Sequence, residues 1–153
     1  MNITSKGRYA LRVMLDLASH PDDGYVSLKT IADRQGISMK YLEAIVGSLK
    51  RAELVDSTRG KEGGYRLNRK NEEYTVGEIL RCMEGSLAPV SCVRNGHIDC
   101  DHAAGCLTAP MWVELDEITN RYLDTISLKD LLTGEKWKDM NIQCENTKKE
   151  GQK

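Results

Sequence analysis

Leu54-Val55-Asp56-Ser57-Thr58-Arg59-Gly60-Lys61-Glu62-Gly63-Gly64-Tyr65-Arg66-Leu67 is the stretch on which the fold turns. Two short strand-like runs flank a glycine-rich tip bearing Arg59 and Lys61, the pattern of a hairpin with a basic point. The residues before it give that hairpin its meaning. Ser27 is placed to cap a short helix with Leu28, Ile31 and Ala32 inward, and Gln35-Gly36 interrupts the pattern. Ser38 then caps a further helix whose inner face is Leu42, Ile45, Val46 and Leu49. Two short helices joined by a tight turn form a helix-turn-helix, whose second helix fits a major groove about 12 Å wide. A hairpin directly after such a pair is a wing, from which a long arginine reaches a narrow minor groove while glycines let the backbone approach phosphates. Gly60-x-x-Gly63-Gly64 is not a nucleotide-binding loop, because it lacks both the strand-loop-helix setting and the Gly-Lys-Ser/Thr ending.

The outward face of the second helix carries Ser38, Lys40, Tyr41, Glu43, Ala44 and Ser48. Hydroxyls and Lys40 suit phosphates or base acceptors, and Glu43 suits a cytosine amine. With Arg59, Gly60 and Lys61 of the wing, Ser38, Lys40, Tyr41 and Glu43 make the expected DNA-binding set. Upstream, Ala10, Val13, Met14 and Leu17 recur at helical spacing after Thr4 or Ser5, and His20-Pro21-Asp22-Asp23-Gly24 ends that helix.

Charge supports this division. The net charge of -1 over 153 residues hides an asymmetry, since residues 1–70 hold 13 Lys and Arg against 8 Asp and Glu. The first half therefore faces a polyanion more readily than the second. A chain of this size fits one globular unit with a small extension. It has no run of eighteen apolar residues, and its opening residues lack the apolar stretch of a secretory signal, so the expectation is a cytoplasmic protein with no membrane partner.

The second half reads differently. Thr75-Val76-Gly77-Glu78 has the form of a capping box, and Val76, Ile79, Leu80 and Met83 give the next helix an apolar face before Gly85 ends it. Cys82 inside that helix is expected to be a small buried apolar residue. Between residues 86 and 109 the regular pattern is lost around Cys92-x7-Cys100-x5-Cys106. The chain has five cysteines, the others being Cys82 and Cys144, and an odd number with no export signal favours metal binding or redox sensing over disulfides. Three thiolates on one loop select zinc, copper or an iron–sulfur cluster, with a fourth ligand from His97, Asp99, Asp101, His102 or another subunit. Zinc is the runner-up, because paired Cys-x2-Cys knuckles are missing. From Pro110, Met111, Leu115, Ile118, Tyr122 and Ile126, with Trp112, form a long apolar stripe suited to a two-fold dimer. Leu128, Leu131 and Leu132 pack a last short element, and Thr133 to Lys153 reads as a polar, flexible tail.

The expected fold is mainly α with a small β-hairpin wing. It comprises a winged helix-turn-helix domain over residues 1–85, a sensor loop over 86–109, a dimerisation helix over 110–132 and a tail over 133–153. Thr4-Ser5-Lys6-Gly7-Arg8-Tyr9-Ala10, Tyr41-Leu42-Glu43, Arg59-Gly60 with Gly63-Gly64-Tyr65, and the three-cysteine loop together resemble the Rrf family of transcriptional regulators, over about residues 1–132. The resemblance implies a homodimeric repressor or activator that binds a double-stranded DNA operator. Cluster-bearing members hold an iron–sulfur cluster through three cysteines, which map onto Cys92, Cys100 and Cys106, with [2Fe-2S] favoured and [4Fe-4S] as the alternative. In IscR-like members a histidine three residues past the last cysteine completes the site, and here that residue is Ala109. NsrR-like members use an acidic residue near the N-terminus, where this chain has Arg8, so the fourth ligand stays open. Position 44 is Ala rather than the Gln of some IscR-like members, which implies a different operator. Two other sensing modes remain within the fold: zinc or thiol oxidation, and a cysteine-metabolism repressor of the CymR type. From a different class, a redox enzyme or electron carrier is disfavoured, having no use for a basic wing and no Cys-x-x-Cys pair here.

Overall fold

The computed structural model describes residues 3–94 and 96–140. Helix α1, Ser5–Ser19, turns Ala10, Val13, Met14 and Leu17 into the core as one stripe. α2, Leu28–Gln35, starts where the Ser27 hydroxyl accepts the Thr30 N–H at 3.1 Å, satisfying one of the donors a helix start leaves orphaned. It stops at Gly36, whose φ of 63° is the left-handed cap that a side chain disfavours. α3, Met39–Arg51, follows a Ser38 cap and buries Leu42, Ile45, Val46 and Leu49, as the spacing predicts.

β1, Val55–Thr58, and β2, Gly64–Leu67, pair antiparallel with Val55 opposite Leu67 and Thr58 opposite Gly64. The hairpin is not free-standing. Val26 and Tyr65 exchange backbone hydrogen bonds of 2.9 and 2.8 Å, so a single β-bridge joins the segment between α1 and α2 to the two-stranded sheet. An isolated two-stranded hairpin is marginal in water, and this bridge ties the wing to the helical body.

α4, Val76–Glu84, is capped by Thr75, whose hydroxyl accepts the Glu78 N–H at 3.1 Å. The expected reciprocal half of that capping box does not form, because the Glu78 carboxylate accepts from Arg69 at 3.0 Å instead. The loop after α4 holds a minimal hairpin, β3 Val93–Arg94 with β4 His97–Ile98, and leads to α5, Ala109–Asp124. Ile126 lies past the end of α5 and is buried, its carbonyl accepting the Val76 N–H at 2.8 Å. α6, Leu128–Thr133, opens on a complete capping box between Ser127 and Asp130, which the sequence reading had not recognised. Leu128 belongs to the same core as α1, α2 and α3, so the chain beyond α5 returns to the winged-helix body. Thr133, where a flexible tail is expected to begin, still closes α6, Glu135–Trp137 makes a 3-10 turn, and Trp137 packs on a second core of Val76, Leu80, Leu87 and Ile126. Residues 141–153, with Cys144, lie outside the described residues.

Tyr74 is a fully buried anchor at the base of the wing. Its hydroxyl accepts the N–H groups of Asn68 and Arg69, both at 2.9 Å, and donates to Asn68 Oδ1 at 2.8 Å. Tyr74→Phe removes the acceptor and leaves two backbone donors unpaired, a cost of about 1–3 kcal/mol. Urea denaturation should show a lowered midpoint with an unchanged slope.

Candidate nucleic-acid interface and cysteine loop

The Ser38 cap and Lys40, Glu43 and Ala44 of α3 are exposed, in keeping with an outward reading face. Ser48 is not part of that face. It is buried towards α4, and its hydroxyl donates to the Ala44 carbonyl. The outward assignment failed because position 48 lies near the boundary between the apolar and polar stripes. Tyr41 is half-buried and meets Tyr9 edge-on, with centroids 5.7 Å apart and an interplanar angle of 87°. Arg12 stacks over Tyr9 at 5.1 Å and donates to the Gln35 carbonyl at 2.7 Å. A chain of contacts thus runs from the turn between α2 and α3 through α1 to the start of α3.

Asp16 completes this lock. Although buried, its carboxylate accepts from Gln35 Nε2 at 2.8 Å and from Arg34 at 3.4 Å, and Arg34 also reaches Asp23 at 2.8 Å. The sequence reading passed over Asp16, yet a carboxylate three residues after Val13 and one before Leu17, on the buried stripe of α1, was a signal. Buried charges of this kind are paired or they are costly.

At the wing tip Arg59, Gly60 and Lys61 are exposed, and neither Arg59 nor Lys61 has an ion-pair partner among the described residues. Gly60 takes a φ of 110° with open space around it, whereas Gly63 and Gly64 are glycine for another reason. A Cβ on Gly63 would stand 2.7 Å from the Thr58 carbonyl oxygen, and one on Gly64 would collide with the Val26 carbonyl. These two serve packing of the protein on itself rather than approach to phosphate.

Cys92 is half-buried, while Cys100 and Cys106 are exposed. The Asp99 N–H donates to the Cys92 carbonyl at 2.8 Å, extending the β3–β4 pairing so that Cys92 and Cys100 flank the base of one hairpin. Cys106 stands three residues before α5, where the Thr108 hydroxyl at 3.4 Å helps to hold its thiol below the usual range. His97, Asp99, Asp101 and His102 are all exposed on the same loop, Asp99 lying 3.7 Å from the Arg94 Nε. Among the described residues no three His, Cys, Asp or Glu side chains are gathered closely enough to hold a metal ion. The chemistry of the donors nevertheless fits a soft centre, with three free thiols on one irregular loop and none locked by a disulfide. Cys82 stands apart in α4, half-buried against the core rather than fully inside it as expected, with burial pushing its thiol up.

A capped helix-turn-helix locked against α1, with a basic-tipped wing bridged beside it, defines the winged-helix class of DNA-binding regulators. Within that class, residues 3–134 match the Rrf2 family, described as iron-dependent transcriptional regulators, and the chain belongs to that family. It is 42% identical over 132 residues to the HTH-type transcriptional regulator IscR of Aliivibrio salmonicida, covering 86% of this chain and 77% of that one. Protein rrf2 of Nitratidesulfovibrio vulgaris is 41% identical over 132 residues, 86% of this chain and 87% of its own. Among solved structures, CymR (YrzC), the global cysteine regulator of B. subtilis, superposes with a TM-score of 0.71 at 35% identity, covering 88% of this chain and 98% of that chain. IscR of T. potens superposes with a TM-score of 0.68 at 35% identity, covering 94% and 93%. The chain is a transcriptional regulator of the Rrf2/IscR type, which sets aside the electron-carrier reading.

Proposed function

We propose that this regulator binds its operator as a homodimer, with affinity set by an iron–sulfur cluster held through Cys92, Cys100 and Cys106. The observation that carries the reading is the clustering in sequence of three free, largely exposed thiols on the loop between α4 and α5, in a chain of a family described as iron-dependent. Thiolates are the donors such clusters take, [2Fe-2S] is favoured over [4Fe-4S], and His97, Asp99, Asp101 and His102 are the fourth-ligand candidates within the chain. When bound, the cluster would supply a linkage sensitive to redox state, iron–sulfur supply or nitric oxide. Ser38, Lys40, Tyr41 and Glu43 would read or grip the major groove, and Arg59, Gly60 and Lys61 would engage the adjacent minor groove.

The chain's own contacts provide the route between loop and DNA-reading face. Cys106 lies three residues before α5, and Asn120 on α5 accepts from Arg81 of α4 at 2.8 Å. Glu84, at the end of α4, accepts from the Thr4 N–H at 3.0 Å and its hydroxyl at 2.9 Å, joining α4 to the start of α1. Reordering residues 92–106 therefore acts on two helices that touch the recognition body.

Anaerobic purification should give a brown protein with visible absorption. Alanine at Cys92, Cys100 or Cys106 should abolish that absorption and shift operator affinity by about tenfold or more, in the range of ordinary allosteric coupling. Unchanged colour and unchanged operator binding in all three variants would overturn the cluster reading. A colourless wild type with stoichiometric zinc would instead support the zinc alternative, and exposed Cys100 and Cys106 would favour thiol oxidation if neither metal is found.

A further inference from the structure

Where α1, α3 and α4 meet, two cations converge on one hydroxyl. Ser48 is only 7% exposed, and its Oγ donates to the Ala44 carbonyl at 3.1 Å while accepting from Lys6 Nζ at 3.4 Å and Arg51 Nη2 at 3.0 Å. The hydroxyl is thereby fully used, with one bond donated and two accepted. Neither Lys6 nor Arg51 has an ion-pair partner among the described residues. Two like charges held by one neutral oxygen repel each other, and that arrangement favours an anion beside them.

The chain's neighbouring acids are committed elsewhere. Glu84 accepts both bonds from Thr4, and Glu78 is paired with Arg69. Cys82 reaches the same spot, its thiol donating to the Ser48 carbonyl at 3.5 Å, but burial keeps it in the neutral form. An anion from outside these groups can therefore sit beside Lys6 and Arg51 without displacing an internal pair.

Position on α3 says what it is. Lys40, Ala44, Gly47 and Arg51 fall at i, i+4, i+7 and i+11 along one stripe. Eleven residues at about 1.5 Å each separate Lys40 from Arg51 by about 16 Å. That distance slightly exceeds the roughly 12 Å width of a major groove, so a helix laid across it presents small side chains to the bases and a cation to each wall.

We infer that Lys6, Arg51 and Ser48 form a second phosphodiester-binding site, gripping the DNA backbone on the groove wall opposite Lys40. Lys6 and Arg51 make the contact, and Ser48 is a positioning residue that holds them together. This inference rests on the DNA-reading role proposed for α3.

The test uses the full chain and two labelled duplexes, a genomic fragment enriched by the wild type and a scrambled one of equal length. Fluorescence anisotropy is followed as KCl rises from about 50 to 300 mM. Lys6→Gln/Arg51→Gln should bind both duplexes about 10- to 100-fold more weakly at about 100 mM, with a salt slope shallower by about one to two. Its preference for the enriched fragment should remain, because phosphate contacts carry no sequence information. Ser48→Ala, which keeps both cations but frees them, should show a smaller loss of the same kind, and Arg51→Lys should recover part of what Arg51→Gln loses. A double variant that melts like the wild type and retains its slope and affinity would overturn the clamp, as would selective loss of sequence preference. Should the double variant not fold, Arg51→Gln with its lysine counterpart decides the matter alone. If the wild type shows no preference for its enriched fragment, operator reading fails, while the slopes on scrambled DNA still judge the clamp.

Discussion

Gly64→Ala is expected to destabilise the protein by about 2–4 kcal/mol, combining overpacking with the loss of two backbone hydrogen bonds. The Cβ would run into the carbonyl of Val26 and stand 2.9 Å from the Ser27 nitrogen. Neither is the end of a flexible side chain that can swing aside. Relief requires the backbone of residues 26 and 27 to retreat, and that breaks the paired bonds between Val26 and Tyr65. The wing would then hang by β1 alone, so operator affinity should fall along with stability. A contrasting glycine makes the prediction sharper. At Gly47, within α3, an added Cβ meets only Arg51 Nη1 at 3.7 Å, and Gly47→Ala should stabilise the helix by about 0.5–1 kcal/mol. Thermal melting should show the two alanines moving Tm in opposite directions, the first down by several degrees. Equal and small shifts would mean that the Val26–Tyr65 bridge does not hold the wing.

These glycines also mark the limit of what the sequence makes legible. The hairpin itself was readable from its glycine-rich tip between strand-like runs, and the three helices ahead of it from caps and apolar spacing. The purpose of Gly63 and Gly64 was not, because the atoms they make room for are the Thr58 and Val26 carbonyls, one across the hairpin and one far off in sequence. Tyr74 escaped notice for a similar reason. Its hydroxyl partners are the backbone donors of residues 68 and 69, and nothing local in the sequence announces such a bond. The Thr75-x-x-Glu78 motif was legible only in part, since Arg69 competes successfully for the Glu78 carboxylate. Ser127 and Asp130, by contrast, made a complete box with a shorter acid than the usual motif. At the candidate site, the exposure of Lys40, Glu43, Arg59 and Lys61 follows directly from polarity and spacing. The buried role of Ser48 depends on where α4 packs, which no single-helix pattern encodes.

Leu115→Asp combined with Ile118→Asp is expected to convert the proposed dimer into monomers and to weaken operator binding at least a hundredfold. Met111, Leu115, Ile118 and Tyr122 are 50%, 40%, 45% and 51% exposed, an apolar row along α5 left half-uncovered among the described residues. The other side of the helix is occupied, with Ala109 and Asp116 buried and Asn120 bonded to Arg81. Four large apolar side chains in one row make an isologous two-fold contact with a second copy of the same helix favourable, each buried square ångström contributing about 25 cal/mol. Such a pairing would set two α3 helices to read half-sites about one DNA turn, roughly 34 Å, apart. Once the first α3 is seated, the second binds from an effective concentration in the millimolar range, and a monomer forfeits that gain. Sedimentation velocity should therefore show a single species of half the wild-type mass, and anisotropy should show the lost affinity on the two-half-site duplex with little change on a single half-site. The substitutions lie on exposed positions, so thermal stability of the monomer itself should change little beyond the contribution of assembly. A variant that stays dimeric, or a monomer that binds the full operator as tightly as the wild type, would show that α5 does not bring the two reading heads together.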